Sequence, residues 1–303
     1  MSDRVVSDAD FERLRSVRAS APHRIAEILA GRNRPAPLGE NGRLLIVAAD
    51  HPARGALGVR GDSGAMADRY DLLRRLVTAL GRPGVDGVLG TPDILDDLAL
   101  LGALDGKVVV GSMNRGGLQG ASFEMDDRFT AYSAESIAAS RFDFAKLLVR
   151  VNLSDAGTAA TLEATARAVT ESAALRLPIM LEPFLSSWVD GRIVNDLTTD
   201  AVIRSVAIAS GLGESSAYSW LKLPVVDGME RVMASTTLPT LLLGGDPAGA
   251  PVETYARWSD ALALPGVRGL VVGRTLLYPE DGDVARAVDI AAGLVHAPVA
   301  AGT

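Results

Sequence analysis

The sequence predicts an α/β fold: a (β/α)8 TIM barrel with an extra N-terminal helical segment. Three observations carry this reading. Short apolar runs, continuous rather than alternating, recur eight times between residues 43 and 280. Continuous apolar strands are those buried on both faces, as in a parallel sheet covered by helices. Each run is followed by helical spacing, and eight such units in about 260 residues match a closed barrel. Finally, Ala49-Asp50-His51-Pro52 follows the first run, where a doubly wound open sheet would carry a glycine fingerprint.

The elements follow in order. Residues 8–31 carry helical apolar spacing through Phe11, Leu14, Val17, Ile25, Ile28 and Leu29. Pro22 starts a second helix within that span and Gly31 stops it. Residues 32–42 are a polar Pro/Gly linker, so a helical extension over 1–42 precedes a barrel over 43–303. The first strand, 44–49, ends at Asp50-His51 and leads through a Gly-rich loop into a helix over 67–80. A strand at 85–89 and a helix at 92–104 come next. The third strand, 108–112, is followed by a long loop, 114–129, with Gly116, Gly117 and Gly120, and a helix at 133–140. The fourth strand, 142–151, precedes a long helix, 156–175. The fifth, 178–182, precedes a helix at 199–210. The sixth is a six-residue run closed by Pro224, with a short helix at 227–234. Strands at 239–243 and 267–272 and helices at 251–262 and 282–295 complete the series.

Composition narrows the function. A chain of 303 residues with 48% hydrophobic content can bury a large barrel core. A net charge of −7 without a basic run argues against a nucleic-acid partner. Cysteine is absent, which excludes disulfides and thiol catalysis and fits a reducing, cytoplasmic location. No secretory leader is visible, and no apolar run approaches the roughly 18 residues that span a membrane. The histidines, His23, His51 and His296, are scattered, so neither a zinc site nor a cofactor is expected.

Lysine usage is the sharpest chemical signal. Lys and Arg together number 30, yet only Lys107, Lys146 and Lys222 are lysine. Arginine serves wherever a surface cation suffices; lysine is required where an amine must lose its proton. Lys107 follows an Asp-Gly turn and reads as a solvated strand end. Lys146 and Lys222 lie inside apolar strands, where an unpaired ammonium is costly and the pKa falls. A neutral buried amine is a nucleophile toward carbonyls.

In a barrel of this kind the chemistry sits at the C-terminal ends of the strands. Those ends carry Asp50 and His51 with Arg54 beyond; Lys146, Arg150 and Asn152; Glu182; Lys222; Gly244, Gly245 and Asp246; and Gly273 with Arg274. Lys146 and Lys222 belong to alternate strands and so can approach each other, each disfavouring the other's charge. Glu182 lies on the strand between them. The glycines after the seventh strand and Arg274 after the eighth read singly as a turn and a surface residue, but together they stand where such barrels usually hold a phosphate, and a phosphate site is expected there.

Taken together, Ala49-Asp50, Arg54-Gly55-Ala56-Leu57, Ala145-Lys146-Leu147-Leu148, Leu181-Glu182-Pro183, Leu221-Lys222-Leu223-Pro224 and Gly273-Arg274 resemble a known family. Their order is similar to that of class I aldolases of the tagatose-1,6-bisphosphate aldolase type, within the deoxyribose-phosphate aldolase-like superfamily. The resemblance covers about residues 43 to 280, and looks nearest to an actinobacterial subgroup associated with inositol catabolism. It implies a Schiff base on Lys222, proton transfer assisted by Glu182 and Lys146, phosphate held by Gly244, Gly245 and Arg274, and Arg54 on the other end of the substrate. Arg150 replaces an aromatic of the tagatose-type enzymes, and two extra residues separate Asp50 from the Arg-Gly-Ala-Leu run. The expected activity is a metal-independent aldehyde-lyase on a phosphorylated keto-sugar or keto-sugar acid, with Asp50 or Glu182 as base. The alternatives are a phosphate-binding isomerase or transaldolase, or a catalytically inactive sugar-phosphate sensor. The expected partner is a small-molecule sugar phosphate; a homo-oligomer is left open.

Overall fold

The computed structural model describes residues 5–36, 38, 41–114, 117–245 and 251–297. Among the described residues nine strands form: β1 Leu44–Ala48, β2 Gly87–Gly90, β3 Val108–Ser112, β4 Phe144–Val151, β5 Ile179–Val189, β6 Arg192–Asn195, β7 Ser219–Pro224, β8 Thr240–Leu243 and β9 Val267–Val272. All except β6 join one parallel ring in the order β1, β2, β3, β4, β5, β7, β8, β9, closed by β9 on β1. Each is followed by a helix on the outside, from Arg69–Gly81 after β1 to Val284–His296 after β9. The fold is the (β/α)8 barrel.

Closure divides every strand into two faces, because side chains alternate. Leu44, Ile46 and Ala48 point inward with Leu89, Val108, Val110, Phe144, Met180, Leu241 and Val271, and Trp220 packs against them. Phe144 and Trp220 meet edge to face, with centroids 5.3 Å apart, the geometry aromatic pairs favour. Leu45, Val47 and Ala49 point outward into the larger layer shared with the helices. The strands are therefore apolar on both faces, as a covered parallel sheet requires.

The N-terminal helices, Asp8–Ser20 and His23–Gly31, lie outside the ring. Ser7 and Asp10 form a capping box at the first, satisfying backbone N–H groups that the helix cannot. Phe11 stacks on Tyr70, and Arg18 pairs with Asp97 at 2.6 Å. Arg32 then reaches under the barrel to Asp143 and to the carbonyls of Lys107 and Arg141. Lys107 is not a solvated strand end: it is half-buried and donates to the Val85 carbonyl.

The fifth strand differs from its expected extent. Instead of ending near residue 182, β5 runs on to Val189 and turns back through β6 as an antiparallel hairpin. The turn residues Asp190 and Gly191 have φ of 49° and 72°. Two successive positive φ values make the tight turn whose twist suits paired strands, and Asp-Gly is a strong signal for it. The hairpin stands above the C-terminal end of the barrel.

Candidate active site

The inward stripe of each strand, carried upward, builds the site. Two residues above Phe144 is Lys146; two above Met180 is Glu182; two above Trp220 is Lys222; two above Ala48 is Asp50; two above Val110 is Ser112. The hydrophobic floor thus gives way at one level to charged groups, packed where helices and strands exclude water. Lys146 and Lys222 are each 4% exposed, Glu182 and Asp50 8%.

These four make one chain of alternating charge. Lys222 Nζ donates to Glu182 Oε1 at 2.8 Å. The other carboxylate oxygen of Glu182 lies 2.6 Å from Lys146 Nζ. Lys146 Nζ also donates to Asp50 Oδ2 at 2.9 Å. Ser112 Oγ reaches the same Asp50 oxygen at 3.5 Å, and His51 Nδ1 lies 3.6 Å from Asp50 Oδ1. Each buried charge has an opposite partner, the condition for keeping such groups ionised inside a protein.

The two lysines are not equivalent. Burial lowers the pKa of both, but Lys146 touches two carboxylates, Asp50 and Glu182, and these raise it above its ordinary value. Lys222 touches one carboxylate and feels the charge of Lys146, so burial prevails and its pKa falls. Glu182 is opposed by burial, yet the two lysines carry it down to about 2. Asp50 is also opposed by burial and also ends well below its usual range, through Lys146, His51, Lys222 and Arg54. His51 is pushed down to about 3, first by burial and then by the cations Arg54, Arg274 and Lys222 against Asp50, so its ring is neutral at physiological pH.

A cleft of about 650 Å3 opens over this network, and Arg54, Arg150, Gly244, Gly245 and Arg274 border it. Gly245 has φ +67°, in the left-handed region that glycine adopts without strain. Gly273 does not line the cleft. A Cβ there would lie 2.4 Å from the Ala48 carbonyl oxygen, so its place in the sequence reflects the close passage of β9 beside β1. Asp246 and Gly116 lie outside the described residues.

Arg150 borders the cleft, but its guanidinium is engaged within the protein. Nε and Nη2 grip Asp127 at 3.0 and 2.7 Å, and Nη2 also donates to the Glu124 carbonyl. Asp127 is fully buried. Asn114 adds bonds from its Nδ2 to the Asp127 and Leu148 carbonyls. The long loop after β3 is thereby pinned to β4, and it contributes Gly117, Gln119 and Glu124 to the cleft wall.

Sequence reasoning missed Ser112, the Asp127 clamp, and the wall residues Phe184, Ile193 and Asn195. The two-residue step along β3 points to Ser112, and Asp190-Gly191 points to the hairpin. Nothing local points to Asp127. Among the described residues, no group of three His, Cys, Asp or Glu side chains is arranged to hold a metal ion, and no helix is long and apolar enough to cross a membrane.

Comparison with known proteins agrees with this architecture. Among curated proteins none matches the chain. The crystal structure of Cgl0159 from Corynebacterium glutamicum is 67% identical with a TM-score of 0.94, covering 96% of this chain and 98% of that one. A Schiff-base-forming fructose-1,6-bisphosphate aldolase shares the fold at 19% identity and a TM-score of 0.62, over 90% of this chain and 100% of that one. An archaeal fructose-1,6-bisphosphate aldolase, solved with its catalytic lysine bound to a carbinolamine intermediate, matches at 19% identity and a TM-score of 0.62, over 89% and 99% of the two chains. Such identities speak to the fold alone. The family model for Cgl0159-like proteins matches residues 42–292, and the chain belongs to the Cgl0159-like family.

Proposed function

We propose that the protein is a metal-independent class I aldolase, cleaving or forming a carbon–carbon bond in a phosphorylated keto-sugar or keto-sugar acid through Lys222. The observation that carries this reading is the inequality of two buried lysines joined by one carboxylate. The amine with the lowered pKa has the character of a Schiff-base nucleophile, and the one beside two carboxylates that of a resting ammonium that can supply a proton.

In the cleavage direction, the neutral Lys222 amine adds to the substrate ketone to give a carbinolamine. A proton transferred from the Lys146 ammonium through Glu182 lets the hydroxyl leave as water, forming the iminium. A carboxylate, Glu182 or Asp50, then takes the proton of the hydroxyl on the far carbon of the bond to be broken. That bond's electron pair flows to the iminium, an aldehyde departs, and an enamine remains on Lys222. Protonation of the enamine carbon and addition of water release the ketone and restore the amine. Gly244, Gly245 and Arg274 would hold a phosphate, and Arg54 a second anionic group. The barrel on which this chemistry is proposed is the fold it shares with the two fructose-1,6-bisphosphate aldolases.

Borohydride tests this directly. Reduction in the presence of a ketose phosphate should leave the mass of a ketone fragment on the peptide holding Lys222. A label confined to Lys146 would move the nucleophile to β4, and no label on either lysine would refute the aldolase reading.

A further inference from the structure

The β5–β6 hairpin continues the inward stripe of β5 above the reacting level. Met180, Glu182, Phe184, Ser186 and Trp188 succeed one another at two-residue steps. Across the hairpin, Ser186 pairs with Asn195 and Trp188 with Ile193, so these four share that face. Phe184, Ile193 and Asn195 border the cleft. Arg192 pairs with Val189 and belongs to the opposite face, so the face toward the cleft carries no charge.

Asn195 is held in one orientation. The buried Ser186 hydroxyl donates to Asn195 Oδ1 at 2.7 Å. That leaves the Nδ2 hydrogens of Asn195, which donate to no described residue, at the border of the cleft. The hairpin itself is held firmly: its tight turn caps one end, Asp196 N–H donates to the Leu185 carbonyl at the other, and Thr198 caps the next helix.

Position in the ring gives this wall its meaning. β5 and β1 are four strands apart in either direction round the eight. Arg54 follows β1 and Arg274 follows β9, so these two cations stand across from the hairpin; of the other arginines that border the cleft, Arg150, beside Phe184 in the ladder, is engaged by Asp127, and Arg257 by Asp227. Anionic groups of a substrate are drawn to the β9–β1 side; the part lying against the hairpin meets an apolar surface with one amide donor. We propose that the β5–β6 hairpin is the specificity wall for the uncharged, hydroxyl-bearing end of the substrate, and that Asn195 Nδ2 donates to an oxygen there. This assignment rests on the aldolase reading and adds to it which end of the substrate is uncharged.

The test uses the full chain in the condensation direction, with dihydroxyacetone phosphate as the ketone and either D-glyceraldehyde or propanal as the acceptor. Propanal has no hydroxyl to accept from Asn195. The native protein should prefer glyceraldehyde, and Asn195→Ala should reduce that preference about tenfold, the scale of one hydrogen bond lost in a binding site. Asn195→Asp keeps size and the acceptor for Ser186 but removes the donor, and should reduce it at least as much. Borohydride trapping of the ketone by the native protein is measured alongside. Absence of trapping would overturn the aldolase reading and this assignment with it. Trapping without acceptance of either aldehyde, without a preference for glyceraldehyde, or with a preference that both variants retain would overturn the hairpin assignment alone.

Discussion

At the residue scale the protein turns on how one carboxylate is shared. Glu182 touches both lysines, while Asp50 touches only Lys146. That asymmetry sets the lysines apart, and it has two measurable consequences. In the proposed reaction Lys222 must be neutral to attack a ketone. Its pKa lies below the ordinary 10.5, so the rate of imine formation, followed by single-turnover borohydride trapping, should rise with pH and level off before that value. A rise continuing through pH 10.5 would mean that Lys222 titrates as a free lysine. The second consequence concerns stability. Glu182 falls from 4.5 to about 2 on folding, so it stabilises the fold above pH 4.5 and that contribution is lost as pH falls toward 2. His51 falls from 6.5 to about 3; the unfolded chain takes a proton that the folded ring refuses, so stability already declines below pH 6.5. The melting temperature should therefore drop progressively from pH 7 to 3. His51→Asn should flatten the part of the curve between 6.5 and about 4, and an unchanged curve would show that His51 is not held neutral.

At the element scale, the candidate site is completed by the loops at the C-terminal ends of the strands. Those after β8 and β9 bring Gly244, Gly245 and Arg274 to the cleft. If they hold a phosphate, Arg274→Ala should cost roughly 1.5–3 kcal/mol, a loss of about tenfold to over a hundredfold in kcat/KM, seen mainly in KM. A non-phosphorylated analogue should be much less affected; equal losses for both would remove phosphate from this position. The loop after β3 has a different task. Arg150→Met would strand the Asp127 carboxylate, which is fully buried, and breaking such a pair costs about 3–5 kcal/mol. Amide hydrogen exchange should speed up across residues 117–129 well before the barrel strands respond. Exchange that accelerates uniformly, or not at all, would show that Arg150 does not secure that loop.

At the scale of the whole molecule, ring closure is what gathers scattered residues into one candidate site. Asp50, Lys146, Glu182 and Lys222 come from β1, β4, β5 and β7 or their ends and span most of the chain, yet form one hydrogen-bonded network. The barrel supplies the dry floor beneath them and, through the hairpin and the clamped loop, walls above. Because the proposed chemistry uses an iminium as its electron sink, activity should survive extensive treatment with EDTA. Activity that vanished and returned with a divalent ion would exclude the Schiff-base mechanism as its sole basis.

Much of this was legible in the sequence. Eight buried strands, the helices between them, and the inward placement of Asp50, Lys146, Glu182 and Lys222 come from apolar runs and a two-residue period, which are local properties of a chain. The scarcity of lysine singled out Lys146 and Lys222 before any geometry was known. Other features required the fold. Arg150 reads as a free cation beside a cleft until the loop after β3 brings Asp127 onto it, and no local pattern couples residues 23 positions apart. The hairpin was marked by Asp190-Gly191, but its strands are short and half-exposed, so no apolar run announced them. Above all, which lysine loses its proton depends on how many carboxylates lie within about 3 Å and how completely water is excluded. Those quantities sum over the whole ring, and only the tertiary structure decides them.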